Sequence, residues 1–427
     1  MFQTIRNAWK IPDLRRKLLF TLFIIMVFRI GSAITVPFLN AGALSKLMTA
    51  NNGAGSLMGY IDILTGGAFS KATIFSMSVT PYINASIIIQ LLGVAIPALE
   101  KLSKEGDTGR KKIAQITRYT TIGLGLMQGF FYYLYLRNSG VLLYSSGLEG
   151  IWAAITIVVE FVAGTALMMW LGEQINDKGI GNGISVLLFA GIVSRGPVVG
   201  NAIAKYFIEL HYYWQVSLII ILALGIIAAI VFMNDAERRI PVQYAKRVVG
   251  RKMYGGQSSF IPIKVTMSGV MPIIFASSIV SIPSLMGGFM PTTSAVYKVF
   301  TWFGYNSALY AVVYFILIIL FNFFYVTIQY NPNEISNNLK KNNGGIPGIR
   351  PGKPTSDFIK RCLSRITLIG ALFLGLIAVF PILLARVTGM NISLGGTTVL
   401  ILVGVALETS RQLESQMMMR HYKGFLE

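Results

Sequence analysis

Two ionisable side chains interrupt otherwise apolar stretches of this chain: Arg29 in LLFTLFIIMVFRIGSAITVP and Glu160 in IWAAITIVVEFVAGTALMMW. A charge in such a setting is costly, and it marks either an ion or substrate path or a helix-pairing or snorkelling contact. Ion-coupled transport calls for a set of mid-membrane carboxylates, and this sequence is nearly without them. The lone cysteine, Cys362, excludes an internal disulfide, and His211 and His421 do not complete a Cys/His zinc set. The run GEQINDKGIGNGIS, with Gly179, Gly181 and Gly183, has the glycine content of a nucleotide loop but neither its spacing nor a preceding strand. No HExxH, nucleophile elbow or Cys/His pairing occurs, so the sequence points to no enzyme and calls for no cofactor or metal.

Three further segments carry a pattern. SLMGYIDILTGGAFSKATIF is apolar, too short to span a bilayer and broken at Gly66-Gly67. It reads either as a re-entrant half-helix, whose backbone must be buried in protein or face a wet cavity, or as an amphipathic helix on the outer surface. The loop near 234–264 alternates apolar residues around Ile240, Val242 and Tyr244 and then turns at Gly255-Gly256, predicting a strand-like hairpin. The loop near 331–365 contains NNGGIPGIRPGKPT, where Pro347, Pro351 and Pro354 oppose regular helix, predicting an ordered basic arm centred on Arg350. Both loops read as topology signals or lipid contacts, and their length and patterning add a docking role.

Membrane helices must position all of these features. Of 427 residues, 54% are hydrophobic and 13% charged, with a mean hydropathy of +0.63, against roughly 25% charged in soluble chains. Apolar stretches lie near 18–38, 72–96, 113–136, 151–171, 183–203, 215–233, 265–286, 307–330, 366–385 and 392–408. The first is too long for a cleavable signal and reads as a retained span. The fifth is broken by Arg195, Gly196 and Pro197, and the tenth is short. Counted on alternate sides, 29 Lys and Arg fall with the termini and seven opposite, which places both termini in the cytoplasm (N-in/C-in). This divides the chain into a cytoplasmic segment 1–17, five-helix halves 18–208 and 209–408, and a cytoplasmic tail 409–427. Five plus five spans are inverted relative to each other, the arrangement in which a transport path forms between repeats, although no residue-level repeat is evident. The net charge of +20 calls for nucleic acid, anionic lipid or an acidic partner. A small-solute secondary transporter and a non-conducting scaffold are the competing classes.

The strings FRIGSAITVP, LTGGAFSKATIFSMSVTPYINASIIIQLL, EGDTGRKKIAQITRY, MWLGEQINDKGIGNGIS, RRIPVQYAKRVVGRKMYGGQSS and NPNEISNNLKKNNGGIPGIRPG resemble the bacterial SecY family of protein-conducting channels. The resemblance implies an all-α membrane fold, with ten transmembrane helices in two pseudo-symmetric inverted halves around an hourglass pore. It also implies a lateral gate between helices two and three on one side and seven and eight on the other. The family's hydrophobic constriction falls on Val79, Ile83, Ile184, Leu188, Ile274 and Ile401, with Val79 and Leu188 replacing familiar isoleucines. Such a ring closes around an extended peptide and dewets when empty. Its plug falls at about 57–67, including Leu57, Tyr60, Ile61 and Leu64, with Gly66 and Gly67 as hinges. Docking of the SecA ATPase or the ribosome falls on Arg238, Arg239, Lys246, Arg247, Arg251, Lys252 and Arg350. The implied setting is the bacterial plasma (inner) membrane, with SecE and SecG as companions, anionic lipids around them, and secretory and membrane polypeptides bearing signal sequences as cargo.

Overall fold

The computed structural model describes residues 2–40, 42–44, 62, 65–144, 146–208, 211, 213–244, 247–249, 252–254, 258–288, 307–388 and 396–423. Its helices, in order, are α1 (Phe2–Trp9), α2 (Pro12–Gly31), α3 (Thr80–Ala95), α4 (Pro97–Lys104), α5 (Asp107–Asn138), α6 (Gly147–Lys178), α7 (Gly183–Ser194), α8 (Gly196–Ile208) and α9 (Tyr213–Asp235). Strands β1 (Glu237–Tyr244), β2 (Arg247–Val249), β3 (Lys252–Tyr254) and β4 (Ser258–Lys264) follow. Then come α10 (Met271–Gly288), α11 (Ala308–Gln329), α12 (Pro332–Lys341), β5 (Gly344–Gly345), α13 (Lys353–Thr388) and α14 (Gly396–Lys423). Proline opens α2, α3, α4 and α12, where its missing N–H would have had no helical acceptor.

Each of the ten apolar stretches overlaps a helix, the fifth a pair of them. Among the described residues, α6, the α7–α8 pair, α9, α11 and α13 are long and apolar enough to cross a bilayer, and α3 with α4 forms a candidate span bent by 105°. α2, α5 and α14 carry charged end turns, and α10 contributes a shorter apolar stretch, Met271–Val280.

The helices pack in two groups. In the first, α2 lies on α6, α3 on α5, α5 on α6, and α6 on α7. In the second, α10 lies on α11, α11 on α13, α13 on α14, and α9 on α14. The groups meet where α3 touches α10, where α7 touches α14, and where α8 turns into α9. A residue-level echo of the inverted halves appears here. A methyl on Gly164 of α6 would overlap the carbonyl of Ile74, and one on Gly370 of α13 the carbonyl of Val265. Ile74 and Val265 each lie six residues ahead of their helix, α3 or α10. In each half, therefore, a glycine on the fourth span admits the irregular backbone leading into the second.

Two expectations are corrected. The second span does not begin at 72: residues 65–79 form a chain of turns, and helix starts only at Thr80. Hydroxyls cause this, because Thr73 and Ser76 donate to the Ala68 carbonyl (3.3 and 3.1 Å) and Ser70 to that of Gly67 (3.2 Å), competing with helical bonds. The loop near 331–365 is irregular only over 342–352. Pro354 sits in the first turn of α13, where proline is tolerated, and α12 precedes the arm. The tenth apolar stretch lies on α14, which continues through the expected tail as one 28-residue helix ending at Lys423.

On the side assigned to the cytoplasm, β1 pairs antiparallel with β4, bringing Ile240 opposite Ile261. β1 also pairs with β5, so the two basic loops share one sheet. Ile240 and Val242 point to one face, the period of two expected of a strand, and pack with Ile263, Leu339, Ile346, Ile359 and Leu363. The run after α6 also has a structural reason for its glycines. Gly181 has φ +89°, and Gly183 lies against Gly172, so a methyl at 183 would overlap the Gly172 carbonyl. Asn176 Oδ1 accepts from Gly183 N (2.7 Å), and Thr21 Oγ1 accepts from Ile180 N (3.1 Å), fixing the turn between α6 and α7.

Gly183→Ala should therefore cost roughly 1–3 kcal/mol by overpacking. In thermal unfolding of the detergent-solubilised protein it should lower the midpoint, whereas Gly225→Ala, whose new methyl meets nothing within 4 Å, should not.

Candidate functional site

The six side chains expected at the constriction come from four helices, two in each group. Val79 caps α3 and Ile83 lies one turn on; Ile184 and Leu188 are one turn apart on α7; Ile274 lies on α10 and Ile401 on α14. Spacing of four residues keeps each pair on one helix face. All six belong to one hydrophobic core, with Ile274 only partly buried. Ile83, Ile184, Leu188 and Ile274 line one cavity, and Leu188, Ile274 and Ile401 line its larger neighbour of about 280 Å³. Val79 lines neither and is buried beside them.

Above this apolar ring the larger cavity becomes polar. Asn234, Lys264, Gln329, Glu408 and Arg411 line it near the helix ends assigned to the cytoplasm. Arg411 pairs with Asp235 and donates to the carbonyl of Asn234 (2.9 Å), while Thr266 Oγ1 donates to Asn234 Oδ1 (3.1 Å). These bonds fasten α9, α14 and the chain just after β4 together. The smaller cavity runs along the seam where α3 meets α10, lined by Tyr82, Ser86 and Gln90 on one side and Met271 and Phe275 on the other.

Beyond the ring, in the direction of the opposite face, α7 runs six more residues, about 9 Å, to Ser194. Here Arg29 donates to Ser194 Oγ (2.8 Å) and to the carbonyl of Gly66 (3.3 Å). Arg195, which occupies the break between α7 and α8, forms an ion pair with Asp62. Arg29 is therefore a helix-pairing residue that bonds the turn at Gly66. Glu160 is half-buried on α6, and its Oε2 has no hydrogen-bond partner among the described residues. Gly66 and Gly67 both have positive φ, +67° and +88°, a region that only glycine enters without strain. Leu57, Tyr60, Ile61 and Leu64 lie outside the described residues.

The expected docking residues are distributed over the shared sheet. Arg238 and Arg239 are exposed on β1; Arg239 pairs with Glu237 (2.7 Å) and lies over the Phe260 ring (4.8 Å). Arg247 and Lys252 fall on β2 and β3, and Lys246 and Arg251 lie outside the described residues. Arg350 is exposed at the turn of the arm. Its carbonyl accepts from Thr355 Oγ1 (2.8 Å), and Ser336 Oγ donates to Gly352 O (2.7 Å), so the arm is tethered on both sides of its arginine. Among the described residues no group of His, Cys, Asp and Glu is placed to hold a metal.

Sequence reasoning missed Asp62 and Arg195 as a pair. The signal was present: Asp62 is the one acid in SLMGYIDILTGG, and Arg195 interrupts an apolar span.

Comparison with known proteins agrees with this arrangement. The family model for SecY matches residues 73–410. Protein translocase subunit SecY of Thermotoga maritima is 43% identical over 430 residues, covering 100% of this chain and 98% of that protein. The Streptomyces coelicolor protein of the same name is 44% identical over 441 residues, with 100% of both covered. Among solved structures, a protein-conducting channel matches with TM-score 0.63 at 18% identity, covering 96% of each chain. Sec61 in the canine ribosome–channel complex matches with TM-score 0.60 at 18% identity, also covering 96% of each. With matches over most or all of its length, this chain belongs to the SecY family.

Proposed function

We propose that this chain is the central subunit of a protein-conducting channel in the bacterial plasma membrane. It passes unfolded secretory polypeptides between its two helix groups, 18–208 and 209–408, and releases hydrophobic segments sideways into lipid. The observation that carries this reading is the convergence of Ile83, Ile184, Leu188, Ile274 and Ile401 from four helices beneath a polar, water-accessible funnel. Branched apolar side chains can yield around any extended chain, because they demand no specific hydrogen bond of it. Empty, the same ring dewets and offers ions no favourable site.

The seam between α3 and α10 is the lateral exit. The smaller cavity is lined from both of the seam's helices, and the seam is held by side-chain packing between helices of different groups, with no covalent crossing there. The segment around 57–67 is the plug of the outer mouth, and Gly66 and Gly67 are its hinge.

The channel supplies no energy of its own, so a cytoplasmic motor or ribosomal elongation drives the chain. The shared sheet of the two basic loops is the docking platform for SecA or the ribosome, with Arg238, Arg239, Lys246, Arg247, Arg251 and Lys252 on one loop and Arg350 on the other. Acidic protein surfaces and ribosomal RNA are both anionic, which accounts for clustered positive charge on that face. SecE and SecG accompany the subunit, and anionic lipids meet the remaining cytoplasmic Lys and Arg.

Arg350→Glu should lower SecA-driven transport of a secretory precursor into vesicles by about ten-fold or more, the effect of losing one charge-assisted contact. Membrane insertion of the subunit and its co-purification with SecE should be unaffected. Unchanged transport would remove Arg350 from the docking surface, and failure of the unaltered chain to move any precursor would overturn the channel reading.

A further inference from the structure

We infer that Asp62, Arg195 and Arg29 form a charged clamp that seats the plug hinge against the ends of α2 and α7, and that releasing it is a required step in opening the outer mouth. The inference rests on the channel reading above and adds positioning residues to it.

Asp62 organises the turn. It is 2% exposed. One carboxylate oxygen is paired with Arg195 and the other accepts from Ser70 N (2.8 Å). The Asp62 carbonyl accepts from Gly67 N (2.8 Å) and Thr65 Oγ1 (3.2 Å). Arg29 closes the other side through Ser194 Oγ and the Gly66 carbonyl, while Ser194 Oγ itself donates to Gly191 O (2.6 Å).

The two glycines make this packing possible. A Cβ on Gly66 would stand 2.9 Å from both Arg29 Nη1 and Ser194 Oγ and 3.0 Å from the Gly191 backbone. One on Gly67 would stand 3.2 Å from Arg195 Nη1. The guanidinium groups thus lie directly against bare backbone, so the hinge residues and the clamp residues fit only each other.

The chain that follows has fastenings besides the Asp62–Ser70 bond. Phe69 O accepts from Tyr132 OH (2.7 Å), and residues 34–36 pair with 72–74 through Val36 N to Ala72 O (3.0 Å) and Ile74 N to Ile34 O (3.1 Å). These neutral bonds fasten 69–79 independently of the charges at Asp62, Arg195 and Arg29.

Charge makes the clamp decisive. Arg195 is neutralised by Asp62 while Arg29 bonds the same turn at Gly66, so losing Asp62 leaves like charges facing that turn in a poorly solvated site. The apolar ring has no comparable preference for one position, since dispersion contacts are non-directional.

The test uses the purified channel complex in proteoliposomes, measuring ion leak without precursor and precursor transport with SecA and ATP. Asp62→Asn, nearly isosteric, and Arg195→Gln should each raise resting leak by about ten-fold through a shifted open population. The exchange of Asp62→Arg with Arg195→Asp should return leak toward the unaltered level. Equal leak in either single variant, once co-purification shows intact complexes, would overturn the clamp. So would raised leak that an accumulated exchange variant fails to reverse; where the exchange does not accumulate, the two single variants decide. Failure of the channel reading would look different, because the unaltered chain would then transport no precursor at any leak.

Discussion

Lipid offers no hydrogen-bond partner to a backbone, so any departure from helix at membrane depth must be enclosed by protein or water. Among the described residues the chain departs from helix over 65–79, at Arg195 and over 265–270. Each irregular segment finds its partners inside the molecule. The turns of 65–79 are satisfied by serine and threonine hydroxyls, by Tyr132 and by the strand-like pairing with residues 34–36. The turn at 266–269 is held by Asn322, which joins Ser268 and donates to the Thr367 carbonyl (3.0 Å). Glycines at 164 and 370 leave room on otherwise straight helices for these backbones to approach. The helix groups consequently cannot pack as plain rods, and the interior between them holds cavities.

From that constraint follows a separation of roles along the axis. At the level of Ile83 and Ile274 the interior is apolar, where contacts are non-directional and yield to whatever is inserted. Toward the basic loops it is polar and tied by charge and hydrogen bonds, notably Arg411 with Asp235 and Asn234. Toward the opposite face it is closed by arginines against glycines. One polar rim ties α9 to α14 within the second group and the other ties α2 to α7 within the first, while the middle is held by apolar packing alone. A gate needs both properties, and they are incompatible at one level.

The spans were legible because period and composition act locally: twenty apolar residues have few alternatives in a bilayer. Both basic loops were legible too, Ile240 and Val242 announcing a strand by alternation and Pro347 and Pro351 announcing an irregular arm. Their pairing through Gly344 and Tyr244 was not, since it joins positions a hundred residues apart. The start of α3 was misplaced because apolar composition at 72–79 says nothing about hydroxyls bonding back to Ala68. The ring residues were named from family resemblance alone; nothing in the spacing of six apolar residues among so many distinguishes them. Asp62 escaped notice because its meaning depends on Arg195, which the sequence marks only as a break in an apolar span more than a hundred residues away.

The central claim is that a polypeptide passes through the apolar ring. The direct measurement places Ile83→Cys in a Cys362→Ser background and stalls a cysteine-bearing precursor with a folded domain in SecA-energised vesicles. The account predicts a disulfide between Cys at 83 and the precursor that forms only with ATP and SecA. With translocation intact, absence of that disulfide both there and with Ile274→Cys would contradict it.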